Sequence, residues 1–286
     1  MNIIGTGLSG LVGSRVVEIL SPVHSFEDLS LDTGVDVTKK DIVVPRIERS
    51  NAQWLFHFAA KTDVDGAERE RELGEQSSSW IVNVHATEHI VAACKRSGKH
   101  MLYISTDYVF EGTKEFYTEE DMPNPQGWYA VTKYEGEKRV AELGDKSLII
   151  RIANPYRAHF AAKPDFVAKI REKLEQKGSI TSPNDQLFVP TFIDDIARAI
   201  EKLVAGKATG IYHVVGSEAL SPSGAARKIA RAYGLDESLV TATTFSTYFA
   251  GKAPRPLQAV VKNDKITKLG VLMATFDEGL AEIKKQ

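Results

Sequence analysis

The chain has a single cysteine, Cys94, among 286 residues, so no disulfide can form within it and a disulfide-stapled secreted scaffold is excluded. It has no surplus of either charge: 36 Lys and Arg against 38 Asp and Glu leave a net charge of −2. That balance supplies no general attraction for nucleic acid or an anionic membrane, and neither is expected as a partner. No apolar run approaches the roughly 20 residues that a membrane helix needs. No basic stretch leads into a long apolar segment at the start, so no secretory signal is visible. These absences point to a cytoplasmic protein, in a compartment that keeps a lone thiol reduced. Cys94 follows Ala92 and Ala93 and reads as a small buried helix residue. Internal repeats and low-complexity tracts are also lacking.

What is present is an alternation of strand and helix signals. Met1 to Ile4 is apolar and enters a glycine cluster, and Leu11 to Leu20 repeats apolar residues at helical spacing. Trp54 to Ala60 is a continuous apolar run, as in a strand buried on both faces. Ile81 to Lys95 is helical and stops near Gly98; Met101 to Ser105 is a strand, Tyr129 to Leu143 a helix, and Ser147 to Ile152 another strand. The expected class is α/β: a doubly wound parallel sheet of Rossmann type with a smaller C-terminal substrate lobe. Past Asn154-Pro155 the texture changes, with a charged amphipathic helix over Lys163 to Lys177. Thr191 to Val204 and Gly210 to Val215 return to the strand-and-helix pattern, and Ser221 to Tyr233 is a helix with Pro222 near its start. We assign residues 1–155 to a dinucleotide-binding domain to which 188–215 return. Residues 156–187 and 216–286 form the substrate-binding lobe.

The cluster Gly5-Thr6-Gly7-Leu8-Ser9-Gly10-Leu11-Val12-Gly13 fits two templates: Gly5, Gly7 and Gly10 as G-x-G-x-x-G, and Gly7, Gly10 and Gly13 as G-x-x-G-x-x-G. In either phasing, glycine permits positive φ and brings backbone N–H groups up to a pyrophosphate at a helix N-terminus. The second phasing leaves a five-residue strand ahead of the turn. An acidic residue about 20 positions on would select NAD through the ribose diol. A second strand over Ser25 to Leu29 puts Ser30 at its tip, with Asp28 and Asp32 flanking it and no arginine to meet a 2′-phosphate. The choice between NAD and NADP stays open on these residues.

Tyr129 and Lys133 lie one helical turn apart and share a helix face. A lysine ammonium beside a phenol is expected to lower the phenol's pKa from about 10, so that Tyr129 can exchange a proton with a carbonyl or carbinol oxygen. Tyr134/Lys138 and Tyr248/Lys252 have the same spacing. Tyr129 alone follows the Pro-rich loop 122–127 and opens the helix; Tyr134 lies about 140° around it. Upstream, Leu102 to Phe110 is a strand with a hydroxyl-rich end, where ligand chemistry sits in such sheets, which points to Thr106 and then Ser105 as holders of the reacting oxygen.

Other signals are bland. His85-Ala86-Thr87-Glu88-His89 matches H-x-x-E-H, but it falls on a helix of a coherent dinucleotide fold, and no metal is expected. His57 reads as a satisfied buried histidine, and Arg69 to Glu75 as a solvated face.

Ser105 to Phe110 (STDYVF), Ala59 to Glu68, Arg255-Pro256 and Lys265 to Gly270 together resemble the dTDP-4-dehydrorhamnose reductase family of extended short-chain dehydrogenase/reductases. The resemblance runs from Met1 to about Gly270. It implies Thr106, Tyr129 and Lys133 as catalytic residues. It implies NAD or NADP lined by Gly7, Ser9, Gly10, Leu11, Asp36, Val37, Ala59, Ala60, Lys61 and Asn83, with Tyr129 and Lys133 also touching it. Asp107, Tyr108, Asn154 and Arg255 would face a sugar-nucleotide substrate, and a homodimer is a possible assembly. The implied reaction is NAD(P)H-dependent reduction of a 4-keto-deoxy sugar nucleotide. Two stretches depart from the family: segment 69–80 is longer than in the compact reductases, and where the reductases tend to carry a tryptophan, this chain reads Arg151-Ile152-Ala153-Asn154-Pro155-Tyr156, nearer the epimerases. A sugar-nucleotide epimerase or dehydratase is therefore the nearest alternative, and a non-catalytic regulatory homologue is a second.

Overall fold

A computed structural model describes residues 1–160 and 162–286. Six parallel strands form one sheet: β1 (Asn2–Thr6), β2 (Ser25–Leu29), β3 (Trp54–His57), β4 (His100–Thr106), β5 (Ser147–Ile152) and β6 (Gly210–His213), in the spatial order β6-β5-β4-β3-β1-β2. Alternate residues serve opposite faces. Ile3, Trp54, Phe56, Leu102, Leu148 and Ile150 pack against α1 (Leu11–Leu20) on one side. Ile4, Leu55, Met101, Tyr103 and Ile149 pack on the other side with α2 (Lys40–Arg49) and α3 (Ala86–Ser97). A strand sandwiched in this way has no solvent face, which is why these runs are apolar without alternation. The helix α4 (Trp128–Ala141) covers the second face through Val140. The first face is completed, beyond α5 (Phe166–Glu175), by α6 (Ile193–Ala205), whose Ile193, Ile196, Ile200 and Leu203 are fully buried. Each such side chain contributes about 1.5–3 kcal/mol by leaving water.

A second core gathers Tyr156, Phe188, Phe192, Ile229 on α7 (Pro222–Tyr233), and Phe276 and Leu280 on α8 (Phe276–Ile283). Three two-stranded parallel ladders knit this region: Ile180–Pro183 with Val240–Thr243, Leu187–Phe188 with Gln258–Ala259, and Pro155–Tyr156 with Thr191–Phe192. No helix among the described residues is long and apolar enough to cross a membrane.

Several boundaries differ from the sequence expectation, each for a local reason. The third strand stops at His57 rather than Ala60, because after the Phe58 N–H bonds Thr6 O at 2.9 Å the chain swings across the glycine turn. The helix expected from Ile81 begins earlier, with a turn over Ser78–Trp80 capped by Ser77, passes through a π turn over Ile81–His85 and becomes α-helical again at Ala86, closing at Gly98 in the left-handed conformation. The helix expected from Lys163 starts only at Phe166, where Asp165 caps it by accepting the Ala168 N–H at 3.0 Å.

Candidate active site

The glycine turn lies at the C-terminal edge of β1. Gly7 has φ +67°, and a Cβ there would sit 2.4 Å from the Ala59 nitrogen of the neighbouring strand end. At Gly13 it would sit 2.4 Å from Gly7 O, while at Gly10 it would meet only Gly7 O at 3.2 Å. A Cβ on Gly5 would have its three nearest contacts with the movable Leu8 side chain. The Gly7/Gly10/Gly13 phasing is thus the one in which backbone approaches backbone. The helix α1 then starts with Gly10 at its N-cap, no side-chain cap and no acidic residue in its first turn. Its unpaired N–H groups and positive dipole end border the cleft, which suits a pyrophosphate.

Thr106 ends β4, Tyr129 is the second residue of α4, and Lys133 follows one turn later. All three line one cleft of about 640 Å³ together with Gly7, Ser9, Gly10, Leu11, Ala60 and Asn154. Thr106 Oγ1 donates to Asp107 Oδ1 at 3.0 Å and accepts the Tyr108 N–H at 3.2 Å. Lys133 Nζ donates to Ile104 O at 2.8 Å and lies 4.0 Å from the centre of the Tyr103 ring.

The electrostatics differ from the simple tyrosine–lysine expectation. Burial, reinforced by the Asp107 carboxylate, holds the Tyr129 phenol well above its ordinary value, and a hydrogen bond with Thr106 only partly opposes this. Burial also pulls Lys133 down to about 7, with Glu137 acting the other way. Asp107 is pushed up to about 7 by burial, against its bonds to Thr106 and to backbone N–H groups. Tyr129 therefore keeps its proton at neutral pH, as a proton donor must.

The remaining predicted residues lie around this cleft in different roles. Ala59 passes over Gly7 with its backbone. Lys61 is exposed, but its N–H and carbonyl are clasped by the Asn83 amide at 2.8 and 3.1 Å. Asn83 is buried on the π turn and also donates to Thr132 Oγ1 at 2.9 Å. Asp36 folds back on Thr38, accepting its N–H at 2.9 Å and its hydroxyl at 2.7 Å; these bonds keep its carboxyl below the usual range, and Val37 packs on the outer core. Asp107 is buried beside Thr106, and its Oδ2 has no partner among the described residues. Tyr108 lines a second cavity of about 310 Å³ that shares Asn154, Phe166 and Lys169 with the first. Asn154 adopts φ +42° at this junction, a conformation asparagine tolerates better than most residues. Arg255 does not line either cavity; it pairs with Asp65 at 2.9 Å and lies 4.7 Å from the Phe249 ring centre. His57, fully buried, bridges Thr6 Oγ1 at 2.6 Å and Thr87 Oγ1 at 3.0 Å.

Sequence reasoning missed the wall contributed by Phe160, Lys163, Asp165 and Lys169. The two lysines were visible as charge after Asn154-Pro155, but charge alone does not tell which side of a helix meets a cleft.

The sequence profile of the RmlD substrate binding domain family matches residues 1–286. A dTDP-4-dehydrorhamnose reductase from Aggregatibacter actinomycetemcomitans is 34% identical over 227 residues, spanning 76% of this chain and 74% of that protein. The subunit beta of methionine adenosyltransferase 2 from Xenopus laevis is 28% identical over 235 residues, 80% of this chain and 68% of that one. Among solved structures, dTDP-4-dehydrorhamnose reductase from Bacillus anthracis in complex with NADP superposes with a TM-score of 0.90 at 28% identity, covering 99% of this chain and 98% of the other.

Proposed function

The chain belongs to the RmlD substrate binding domain family, that of the dTDP-4-dehydrorhamnose reductases within the extended short-chain dehydrogenase/reductases, and we propose that it reduces a 4-keto-deoxy sugar nucleotide with NADH or NADPH. One observation carries the reading: a single cleft joins the uncapped start of α1 to Thr106, Tyr129 and Lys133, and shares Asn154, Phe166 and Lys169 with a second cavity. The first space suits a dinucleotide. The second, with Phe166, Tyr248 and Phe249 beside the Lys169 cation, suits a base and a diphosphate. In this reading residues 1–155 and 188–215 hold the dinucleotide, while 156–187 and 216–286 hold the sugar nucleotide.

A reduced nicotinamide dinucleotide, held by the Gly7-to-Gly13 turn and the start of α1, would supply the hydride. Thr106, its hydroxyl turning from Asp107 Oδ1 to the ligand, donates to the sugar carbonyl oxygen and orients it. Tyr129, protonated at neutral pH, delivers its proton to that oxygen as negative charge develops there. Lys133, poised near neutrality, stabilises the phenolate left behind when it is protonated. Asn83 fixes the strand-end segment at Lys61, and the Gly7 crossing fixes Ala59, so that this wall of the dinucleotide site is held from both sides.

The test is to mix the purified protein with dTDP-4-keto-6-deoxy-hexose and NADH or NADPH and follow loss of reduced-nicotinamide absorbance. Steady oxidation is expected. A second reading is favoured by the similarity to a methionine adenosyltransferase subunit: in it this chain would be a non-catalytic regulatory homologue that binds a partner enzyme. No oxidation with any sugar nucleotide, together with a stoichiometric protein partner, would replace the reductase reading with that one.

A further inference from the structure

The tip of β2 carries an arrangement that bears on which dinucleotide the chain takes. Asp28 pairs in register with Gly5 and Leu29 with Thr6, so Ser30 is the first residue beyond the sheet, abreast of Gly7. In a doubly wound sheet this is where the adenosine ribose is read. Ser30 is buried, and its hydroxyl donates to Asp28 Oδ2 at 2.7 Å. Asp28 Oδ1 is buried too and has no hydrogen-bond partner among the described residues. The tip is pinned by Thr33 Oγ1, which accepts the Ser30 N–H at 3.1 Å and lies 3.0 Å from Asp28 O. From Ser25 to Gly34 the chain has three acidic residues, Glu27, Asp28 and Asp32, and no lysine, arginine or histidine.

We infer that Asp28, acting through Ser30, makes this chain select NADH over NADPH. The inference rests on the dinucleotide reading above. With its proton committed to Asp28, the Ser30 oxygen has only lone pairs left for a ligand, which suits a ribose 2′-hydroxyl that can donate. A 2′-phosphate dianion needs donors and cations, and would instead meet a carboxylate with no cation bonded to either oxygen. The related Bacillus anthracis protein was crystallised with NADP, so the inference concerns this chain alone and not the family.

Equilibrium titration of the full chain with NADH and with NADPH, followed by nicotinamide fluorescence, reads both dissociation constants without any sugar substrate. NADH is expected to bind at least tenfold tighter. Asp28→Asn should bring the ratio of the two constants close to one, and Ser30→Arg should reverse it. Because each variant is judged by its own ratio, a general loss of stability does not mimic the result. Equal or tighter NADPH binding by the unaltered chain, or an unchanged ratio in Asp28→Asn, overturns the inference. If the preference holds but no sugar nucleotide is reduced, the reductase reading falls and this one stands. If reduction proceeds with NADPH bound as tightly, the reverse holds; if neither dinucleotide binds, both fall.

Discussion

The residues at the bottom of the cleft are set for donating a proton rather than for giving one up early. Tyr129 holds its proton because burial and the Asp107 carboxylate both disfavour the phenolate. Tyr129→Phe should lower kcat by about 10²–10⁴ while leaving the dinucleotide dissociation constant within a few-fold, as single-turnover and titration measurements would show. Unchanged turnover would remove Tyr129 from the mechanism. Asp107 gives a stability signature of its own. Its folded-state pKa, raised to about 7, means the native state holds a proton that the unfolded chain releases near 3.8. The stabilisation is therefore complete below pH 3.8 and is lost as pH rises to about 7. Relative to Asp107→Asn, the unaltered protein should lose roughly 1–4 kcal/mol over that window in urea titrations. A pH-independent difference between the two would contradict the burial argument.

At the scale of elements, two short irregularities do the positioning. The glycine crossing lets β1 and the end of β3 approach at backbone distance, so Gly7→Ala forces both a clash at Ala59 and a strained φ of +67°. It should cost about 2–4 kcal/mol and abolish dinucleotide binding, measured by urea melts and titration. Retained binding would show that the turn can open without loss. The π turn carries Asn83 to the Lys61 backbone, so Asn83→Ala should weaken dinucleotide binding more than tenfold with modest loss of stability; equal affinity would reduce Asn83 to a packing residue. These two elements also mark the limit of what the sequence makes legible. Glycine spacing and the Tyr129/Lys133 turn depend on neighbours a few residues away, so their phasing and their helix face could be read directly. A π turn adds one residue to a helical period, which an apolar repeat does not reveal. The Arg255–Asp65 pair spans 190 positions, and the wall of Phe160, Lys163, Asp165 and Lys169 is tied back by Asp165, which both caps α5 and accepts the Arg157 N–H at 2.9 Å. Burial, which decides the charge states of Lys133 and Asp107, belongs to the assembled fold and to no local pattern.

Over the whole molecule, buried titratable groups set a direction for its response to acid. His57 and His213 are held down to about 3 chiefly by burial, and His89 and His100 are lowered for the same reason. For His57 and His213 the folded chain keeps the ring neutral, whereas the unfolded chain protonates it near 6.5, so stability is present above that pH and is lost as pH falls towards 3. These two rings each contribute a slope of about 1.4 kcal/mol per pH unit in that window, and His89 and His100 act in the same direction. Against these four histidines stand two buried aspartates of opposite sign, Asp107 and Asp195. The histidines outnumber them, so the urea midpoint should drop between pH 7.5 and 5, and His57→Gln with His213→Gln should flatten the fall; an unchanged slope would mean these rings are not buried neutral. The lone cysteine has a use at this same scale. Cys94 is fully enclosed beneath β4, and burial pushes its thiol up to about 12, so a thiol reagent finds nothing to attack while the fold is closed. Consumption of such a reagent counts only the moments when α3 lifts from the sheet, which gives the chain an internal clock for its own opening, with no dye or tag attached.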